Sequence, residues 1–298
     1  MAGHHRMKYP ISVIIPTLER EEITLATLKS FESQTFRNFE LIVIDQASPP
    51  SARLAAFKTD AYRYRYHHHH EKGLPNARNV AARVAEGALL LFVDDDVIAQ
   101  QDLVWQYLHE FNQQDGSVWV IGGQIHEANS KIFRERDDIA GGYVTYYGKT
   151  LKNFCAAGQA ECQWVGGGNF AVRKEKFLQV GGFDTNFIGN ALLEDGDFGF
   201  RVRSNGGRVL YSPKPAVEHL RARAGGTRRF HDDYSMYFRS HNTVYFFRKH
   251  NRRAYLPIVL LYLSAVWFHD LVRKKHSLMA LYYTMKGFMQ GFATRLPK

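Results

Sequence analysis

Three short apolar runs alternate with helical patterns in the first third of the chain. The runs are ISVIIPT at Ile11–Thr17, FELIVID at Phe39–Asp45 and ALLLFV at Ala88–Val93. Each is short, rich in large apolar residues and bounded by polar or turn-forming residues, which is typical of buried strands. Strands that are apolar on both faces indicate a parallel sheet that is covered by helices on both sides.

The segments between these runs predict the covering helices. EREEITLATLKSFESQ carries Leu25, Leu28 and Phe31 at helical spacing. NARNVAARVAEG predicts a second helix, and we expect it to end at Gly87, since glycine is favoured just past a helix terminus. This alternation of strands and helices is typical of an α/β fold.

The chain between residues 117 and 220 predicts further elements of the same fold. SVWVIGGQIH, NFAV and GRVLYSP read as strands, and a short helix follows NFAV. LLEDGDFGFRVRSNGG predicts a helix that opens with Glu194, Asp195 and Asp197 and closes at a glycine pair. The helix dipole favours acids in a first turn, but a single acid would suffice for that. The aromatic stretch from Glu127 to Gln163 predicts no particular element.

The C-terminal region differs from the rest in both charge and hydropathy. The net charge of the chain is +10, and residues 221–298 alone carry 15 Lys and Arg against 3 Asp and Glu, a charge of +12. Sixteen uncharged residues separate Arg253 from Asp270, fewer than the roughly 20 of a spanning helix, and we expect Pro257 to shorten the run further. LMALYYTMKGFMQGF forms a second apolar stretch, and the clusters RKHNRR and VRKKH flank both.

We therefore divide the chain into an α/β domain at 1–225 and a basic, apolar helical extension at 226–298. Apolar helices beside Lys and Arg clusters favour shallow burial in an anionic membrane surface. Two alternatives stay open, namely a helical cap that packs on the catalytic domain and a homo-oligomer interface.

Composition narrows the class of protein. A hydrophobic content of 45% and an aromatic content of 14% indicate a folded chain. Two cysteines, Cys155 and Cys162, favour a reducing compartment, and the start MAGHHRMKYP lacks the apolar core of a secretory signal. We expect a cytoplasmic protein, peripheral at the inner face of the cell membrane. The run His67–His70 is interpreted as a polar loop rather than a metal site.

Acidic residues follow the predicted strands. The strand ends read Pro16-Thr17-Leu18-Glu19, Asp45-Gln46 and Asp94-Asp95-Asp96. Ligands bind at the carboxyl ends of parallel strands, so we expect these residues to share one edge of the sheet. Grouped carboxylates need a cation, and hard divalent ions bind carboxylates together with substrate phosphates. On an extended segment Asp94 and Asp96 project the same way and Asp95 projects oppositely.

Six motifs in order resemble the inverting family 2 glycosyltransferases. They are ISVIIPT, FELIVID, GLPNARNVA, LLLFVDDD, GGGNFAVRKEKFLQVGGFD and LLEDGDFGFRV, and with His219 the resemblance covers about 70% of the chain. It implies the GT-A fold, a Rossmann-like, mostly parallel sheet flanked by helices. It also implies a nucleotide-diphosphate sugar donor and a divalent metal, Mn²⁺ or Mg²⁺.

The resemblance also implies roles for individual residues. Asp45 matches the aspartate that reads the base, usually uracil, and Asp94 lies nearer the ribose. Of Asp94 and Asp96, Asp96 matches the residue that binds the metal directly. In Glu194-Asp195 the aspartate is the expected catalytic base. The expected donor-binding set is Pro16, Thr17, Glu19, Asp45, Arg78, Asp94 and Asp95, and the expected metal ligands are Asp94, Asp96 and His219.

Chemistry and departures from the family pattern refine this expectation. A hydroxyl is a poor nucleophile at neutral pH, so a positioned carboxylate should take its proton. One catalytic base without a carboxylate nucleophile predicts a single displacement with inversion.

The chain has Gln46-Ala47-Ser48 where the family commonly has another acid, which bears on the preference for the nucleotide base. No QxxRW-type motif is present, which favours transfer of one sugar over polymerisation.

The predicted function is metal-dependent sugar transfer, with a UDP-sugar as donor and a saccharide or lipid-linked saccharide as acceptor, in surface polysaccharide or glycan synthesis. One alternative is a sugar nucleotidyltransferase, but PTLEREE stands where such enzymes have a Gly-rich, Arg-containing loop. A second alternative is a nucleic-acid-binding protein that uses the basic tail. Long apolar runs such as IVLLYL do not suit a solvated groove, so we expect no nucleic-acid partner.

Overall fold

Eleven strands and nine α-helices are present in the computed structural model, which describes residues 8–126, 134–221, 233–273 and 277–297. The strands are β1 Tyr9–Thr17, β2 Glu40–Asp45, β3 Arg63–His68, β4 Gly87–Val93, β5 Val97–Ala99, β6 Val118–His126, β7 Gly141–Val144, β8 Thr150–Asn153, β9 Ala160–Glu161, β10 Asn169–Arg173 and β11 Arg208–His219. The helices are α1 Glu21–Ser30, α2 Ala52–Ala55, α3 Leu74–Val84, α4 Leu103–Gln113, α5 Lys174–Gln179, α6 Glu194–Ser204, α7 Ser235–Lys249, α8 Leu256–Val272 and α9 Met279–Ala293.

Nine of the strands form one mixed sheet in which six run in the same direction, and β1, β2 and β4 pair in parallel, as the apolar runs predicted. Its order is β3-β2-β1-β4-β10-β6-β11-β5, and β9 pairs with β11. β1 runs parallel to β2 and β4, and the register sets Thr17, Asp45 and His68 side by side at one edge. β10 runs antiparallel between β4 and β6 and places Asn169 opposite Val93. The segment before β10 therefore reaches the same edge as the acids that follow β4.

The strands that carry the site are rigidly held because they are buried on both faces. β2 is buried along its whole length, and β1 and β4 are buried over nearly all of theirs. The hairpin β7–β8 lies within the stretch that predicted no element, and residues 127–133 of that stretch lie outside the described residues.

Two predictions of local structure within the α/β region are wrong. The helix over NARNVAARVAEG ends at Val84, and Gly87 instead opens β4. A side chain at Gly87 would overlap the Ser12 backbone, so this glycine serves close strand pairing. His67 and His68 belong to β3 rather than to a loop, because the edge position of β3 tolerates a partly exposed, polar strand.

Helix α7 packs on the α/β region, as the helical-cap alternative required. Val244–Phe247 belong to the same apolar core as the sheet. Lys249 Nζ lies 2.6 Å from Asp184 Oδ2 and 2.8 Å from Asp197 Oδ1, which joins α7 to α6. Burial alone would raise the pKa of Asp197, yet a hydrogen bond with His250 and the cations Arg201 and Lys249 hold it to about 2. The predicted boundary at 225 lies outside the described residues.

Helix α8 is the most apolar helix among those described. Arg253–Val272 is a helical stretch of 20 residues that contains an 18-residue window with a mean hydropathy of 1.6, and 17% of that window is buried, so the length and composition of the stretch would allow it to cross a membrane. The expectation that Pro257 shortens this run is wrong, since Pro257 lies in the first turn of α8, where proline is tolerated. The cluster VRKKH lies largely outside the described residues.

Candidate functional site

Two of the three acids after β4 face a histidine from the end of β11. His219 Nε2 lies 3.3 Å from Asp96 Oδ1 and 3.6 Å from Asp94 Oδ2. One ligand atom from each of these residues lies within 4.8 Å of the others. The backbone fixes this arrangement, because the Leu220 amide donates to the Asp96 carbonyl at 2.8 Å. The structure thus brings together the three residues that the sequence analysis proposed as metal ligands.

The donor set of this group fits a divalent cation. Two carboxylates and one imidazole are ligands that Mn²⁺ accepts, whereas Mg²⁺ prefers oxygen alone. Asp96 and His219 are buried and Asp94 is about one-third exposed, which leaves one side open to a ligand. Burial raises the pKa of Asp94, but His219, Arg78 and Arg20 together hold it below its ordinary value.

Asp95 faces away from this group, as predicted, although Asp95 and Asp96 lie in a turn between β4 and β5 rather than on an extended segment. Its carboxylate accepts hydrogen bonds from Thr17 Oγ1 at 2.7 Å and Arg20 Nη1 at 2.8 Å. Burial raises the pKa of Asp95 to about 6, although Arg20 opposes the shift. Arg20 also lies 3.5 Å from Asp96. Asp95 therefore ties β1 and α1 to the acidic turn, and its contact with the donor stays a prediction.

Arg78 on α3 joins the acids after β4 to those at the start of α6. The side chain is buried, and its Nη1 donates to Glu194 at 2.6 Å and to Asp195 at 3.3 Å. Its Nη2 donates to the Gly167 carbonyl at 2.8 Å and lies 4.0 Å from Asp94. The cation thereby compensates part of the charge of three carboxylates. The expected contact of Arg78 with the nucleotide stays a prediction.

Glu194 and Asp195 open α6 after a strained turn. Ala191 and Leu193 have φ of 54° and 71°, a conformation that is costly for residues with side chains and clusters at active sites. Glu194 is buried, whereas the Asp195 side chain is 25% exposed. Burial raises the pKa of both carboxyls, and Arg78 opposes the shift. A raised pKa suits a carboxylate that must take a proton near neutral pH.

Two glycines separate the metal-ligand group from Asp195. A Cβ at Gly167 would lie 2.8 Å from both Asp195 oxygens and 2.6 Å from Arg78 Nη2. A Cβ at Gly168 would lie 2.6 Å from Asp94 Oδ2. Gly167 also donates its amide to Asp195 at 3.2 Å. The absence of side chains here lets the acids approach one backbone segment from two sides.

A pocket of about 350 Å³ opens at this place. Asp94 lies on one side of the two glycines and Asp195 on the other, so both face one cavity large enough for a sugar-sized group. Asp94 from the end of β4 and Asp195 from the start of α6 therefore converge, whereas Glu19 and Asp45 are not among the residues that line this pocket. The pocket is lined mainly by six groups: Arg78, Asp94, Gly166–Gly168, Asp195, the β8 residues Thr150 and Lys152, and the turn Asn190–Leu193.

The remaining predicted donor residues lie at the ends of β1 and β2. Pro16 and Thr17 are buried, and Glu19 is half-exposed and pairs with Lys72 at 3.2 Å. Asp45 accepts hydrogen bonds from Tyr66 Oη and the Ser51 amide, each at 2.8 Å, and from the Ala47 amide. The protein itself thus occupies much of the acceptor capacity of Asp45. Its role in base recognition stays a prediction.

The sequence analysis missed several residues of this site. Arg20 stabilises the acidic turn, and Thr150 and Lys152 line the pocket from a hairpin without a periodic signal. Asp95, the acid of the triplet outside the metal-ligand group, was a usable signal for a partner such as Arg20, because a buried carboxylate needs a hydrogen-bond or ionic partner. No sequence feature indicated which side of the pocket β8 would form.

Comparison with known proteins gives a family match and several relatives. The family described as "Glycosyl transferase family 2" matches residues 12–180. An uncharacterized glycosyltransferase of Haemophilus influenzae is 26% identical over 190 residues, which are 63% of this chain and 60% of that protein. The Escherichia coli UDP-Glc:alpha-D-GlcNAc-diphosphoundecaprenol beta-1,3-glucosyltransferase WfgD is 32% identical over 91 residues, 30% of this chain and 36% of that protein. The matched segments thus span less than two thirds of both relatives.

Solved structures are similar in fold. The mannosyltransferase PcManGT from Pyrobaculum calidifontis, in complex with GDP-Man and Mn²⁺, has a TM-score of 0.57 at 15% identity, over 97% of this chain and 87% of that one. Residues 1–349 of S. aureus TarS, in complex with UDP-GlcNAc, give 0.61 at 16% identity, over 94% of this chain and 81% of that one. At such identities the likeness shows the fold alone, and this is the GT-A fold that the six motifs implied.

Proposed function

Because the chain belongs to glycosyl transferase family 2 and is therefore an enzyme that transfers sugars, we propose a specific reaction for it. It transfers one sugar per encounter from a UDP-sugar to a hydroxyl of a saccharide acceptor, with inversion at the anomeric carbon. One observation carries the proposal. Asp94 and Asp195 flank Gly167–Gly168 at one pocket, Asp94 is grouped with Asp96 and His219, and Arg78 contacts both Asp94 and Asp195.

A divalent metal is part of the proposal. Asp94, Asp96 and His219 would hold it, and when bound it would act as a Lewis acid toward the diphosphate of the donor. The arrangement of these three ligand atoms supports the assignment, and the similar PcManGT structure contains Mn²⁺. Arg20 and Arg78 balance the charge of the acids from the protein side.

Asp195 is the proposed general base. The acceptor hydroxyl gives its proton to an Asp195 carboxylate oxygen as its own oxygen bonds to the anomeric carbon. The bond from that carbon to the diphosphate oxygen breaks on the opposite face, and the nucleotide diphosphate leaves. Arg78 and the Gly167 amide hold the Asp195 carboxylate in place, and about a quarter of the side chain stays accessible from the pocket. Such a base contributes on the order of 10²–10⁴ in rate.

The proposed acceptor is a lipid-linked saccharide. WfgD of Escherichia coli is named for a diphosphoundecaprenol-linked acceptor and a UDP-Glc donor. A second relative, from Campylobacter jejuni, is named as a GalNAc(5)-diNAcBac-PP-undecaprenol beta-1,3-glucosyltransferase and is 23% identical over 60% of this chain. A lipid-linked acceptor accords with a peripheral position at the inner face of the cell membrane.

A donor screen tests this proposal. Purified protein is incubated with UDP-, GDP- and dTDP-sugars, with Mn²⁺ or with a chelator, and release of the nucleotide diphosphate is measured. We expect release from a UDP-sugar that depends on the metal. Nuclear magnetic resonance of the first product then reports the anomeric configuration. Absence of sugar-nucleotide binding would contradict the proposed donor class. Release that persists in the presence of the chelator would contradict the metal dependence, and a retained configuration would contradict inversion.

A further inference from the structure

Helices α8 and α9 both expose a continuous apolar stripe. Along α9 and Leu278, which directly precedes it, exposed apolar residues recur at spacings of three and four, and Leu278 and Met289 are 72% and 62% exposed. On α8 the same spacing recurs, and Leu261 and Phe268 are 70% and 60% exposed. We call the following set the α8–α9 apolar face: Ile258, Leu261, Ala265, Phe268, Val272, Leu278, Tyr282, Met285, Met289 and Phe292.

The opposite side of α9 explains why these large side chains face outward. This side consists of small residues, Ala280, Thr284, Gly287 and Gly291, and all four are buried. Side chains at Gly287 and Gly291 would overlap backbone carbonyls of α7 at Tyr237 and His241. Small residues permit such close helix packing. Since only the small side fits against α7, the large apolar side chains of α9 stay on the surface.

The charge around this face is complementary to an anionic surface. Over 253–273 and 277–297, the charged side chains other than histidine are Arg253, Asp270, Arg273, Lys286 and Arg295. The four cations are exposed, whereas the single acid is largely buried. Exposed apolar helices that carry cations bind anionic lipid by combining apolar burial with electrostatic attraction. A second copy of this face would instead bring like charges together.

The hairpin β7–β8 connects helix α8 to the pocket. The Tyr147 ring at its tip lies 5.3 Å from the Tyr262 ring on α8, and the Tyr146 ring lies 6.1 Å from the ring of Tyr255, which directly precedes α8. Gly148 in the same tip lies against α7. The β8 strand of the hairpin supplies Thr150 and Lys152 to the pocket.

We propose that the α8–α9 apolar face inserts into the interfacial layer of an anionic lipid bilayer and that the hairpin β7–β8 holds the pocket beside that layer. The hairpin then forms the side of the pocket from which the saccharide of a lipid-linked acceptor enters. This second part rests on the proposed function, whereas membrane binding itself does not.

Vesicle co-sedimentation of the full chain tests the proposal. The test variant combines Phe268→Asp and Met289→Asp, one charge on each helix, and the control is Leu178→Asp, a residue that is 50% exposed on α5. We expect wild type and control to bind vesicles of phosphatidylethanolamine and phosphatidylglycerol. The double variant should bind at least tenfold more weakly, with an unchanged melting temperature. Pure phosphatidylcholine vesicles should bind less wild type than the anionic vesicles do.

Three outcomes would overturn the proposal. The first is wild-type protein that does not bind the anionic vesicles, and the second is a double variant that binds them equally well. The third is a wild-type dimer in light scattering that the double variant dissociates without any vesicle binding, which would make the face a homo-oligomer interface. Hydrolysis of UDP-glucose in lipid-free solution separates this test from the proposed function. The double variant should hydrolyse UDP-glucose as wild type does. Absence of this hydrolysis in wild type would count against the proposed function and not against membrane binding.

Discussion

Replacement of Gly167 by alanine is the sharpest perturbation that the pocket offers. The added methyl would lie 2.8 Å from both Asp195 oxygens and 2.6 Å from Arg78 Nη2, whereas ordinary contact begins at 3.4 Å. The carboxylate must therefore retreat by about 0.6 Å, because the Gly167 backbone is held by its bond to Arg78. A misplacement of about 1 Å costs roughly 10²-fold in rate, so we expect a 10- to 100-fold loss in kcat.

Two further glycine variants make the result specific. Gly116→Ala is the control, since nothing lies within 4 Å of its added methyl, and we expect wild-type turnover. Gly168→Ala places its methyl 2.6 Å from Asp94, so it should raise the Mn²⁺ concentration needed for half-maximal activity. Nucleotide-diphosphate release from a UDP-sugar, measured across metal concentrations, separates these effects. Wild-type kcat in a folded Gly167→Ala variant would refute the assignment of Asp195.

Two other variants test the buried charges. Arg78→Met leaves the buried Glu194 and the partly exposed Asp195 without their cation, so we expect a loss of about 3–5 kcal/mol in the free energy of unfolding, measured by urea titration; a loss below 1 kcal/mol would contradict the bridging role. Asp197→Asn tests pH dependence. The folded-state pKa of Asp197 is depressed to about 2, so the ionised carboxylate stabilises the folded protein at pH values above its unfolded-state pKa near 4. This stabilisation disappears as the pH falls through 2. Wild type should exceed this variant by about 2.5 kcal/mol at pH 7, and the two should converge near pH 2; a gap that persists there would contradict the assignment.

The sheet was predictable where burial alone decides the pattern. β1, β2 and β4 are buried on both faces, so their apolar runs predicted both strand and parallel pairing. The antiparallel direction of β10 was not visible, because NFAV has the same pattern in either direction. β3 was missed because an edge strand with the sequence RYRYHH is half-exposed and carries no apolar alternation.

The sequence predicted the acidic residues of the site but not the buried residues that hydrogen-bond to them. Asp94, Asp96, Asp195 and His219 follow from strand ends and from the resemblance, and the structure brings them to one place. The buried guanidinium of Arg78 bonds to residues about 90 and 116 positions away, and no local pattern encodes such contacts. The packing side of α9 was likewise hidden, since the small residues have meaning only against α7.

The central claim is that the metal ligands and the base act on one donor. Binding of Mn²⁺ together with UDP by calorimetry, measured beside turnover of a UDP-sugar, tests this most directly in two variants. Asp195→Asn should bind Mn²⁺ and UDP as wild type does while its turnover falls by about 10²–10⁴, and Asp96→Asn should lose the metal-dependent binding itself. Comparable turnover in Asp195→Asn, or unchanged Mn²⁺ and UDP binding in Asp96→Asn, would contradict the account.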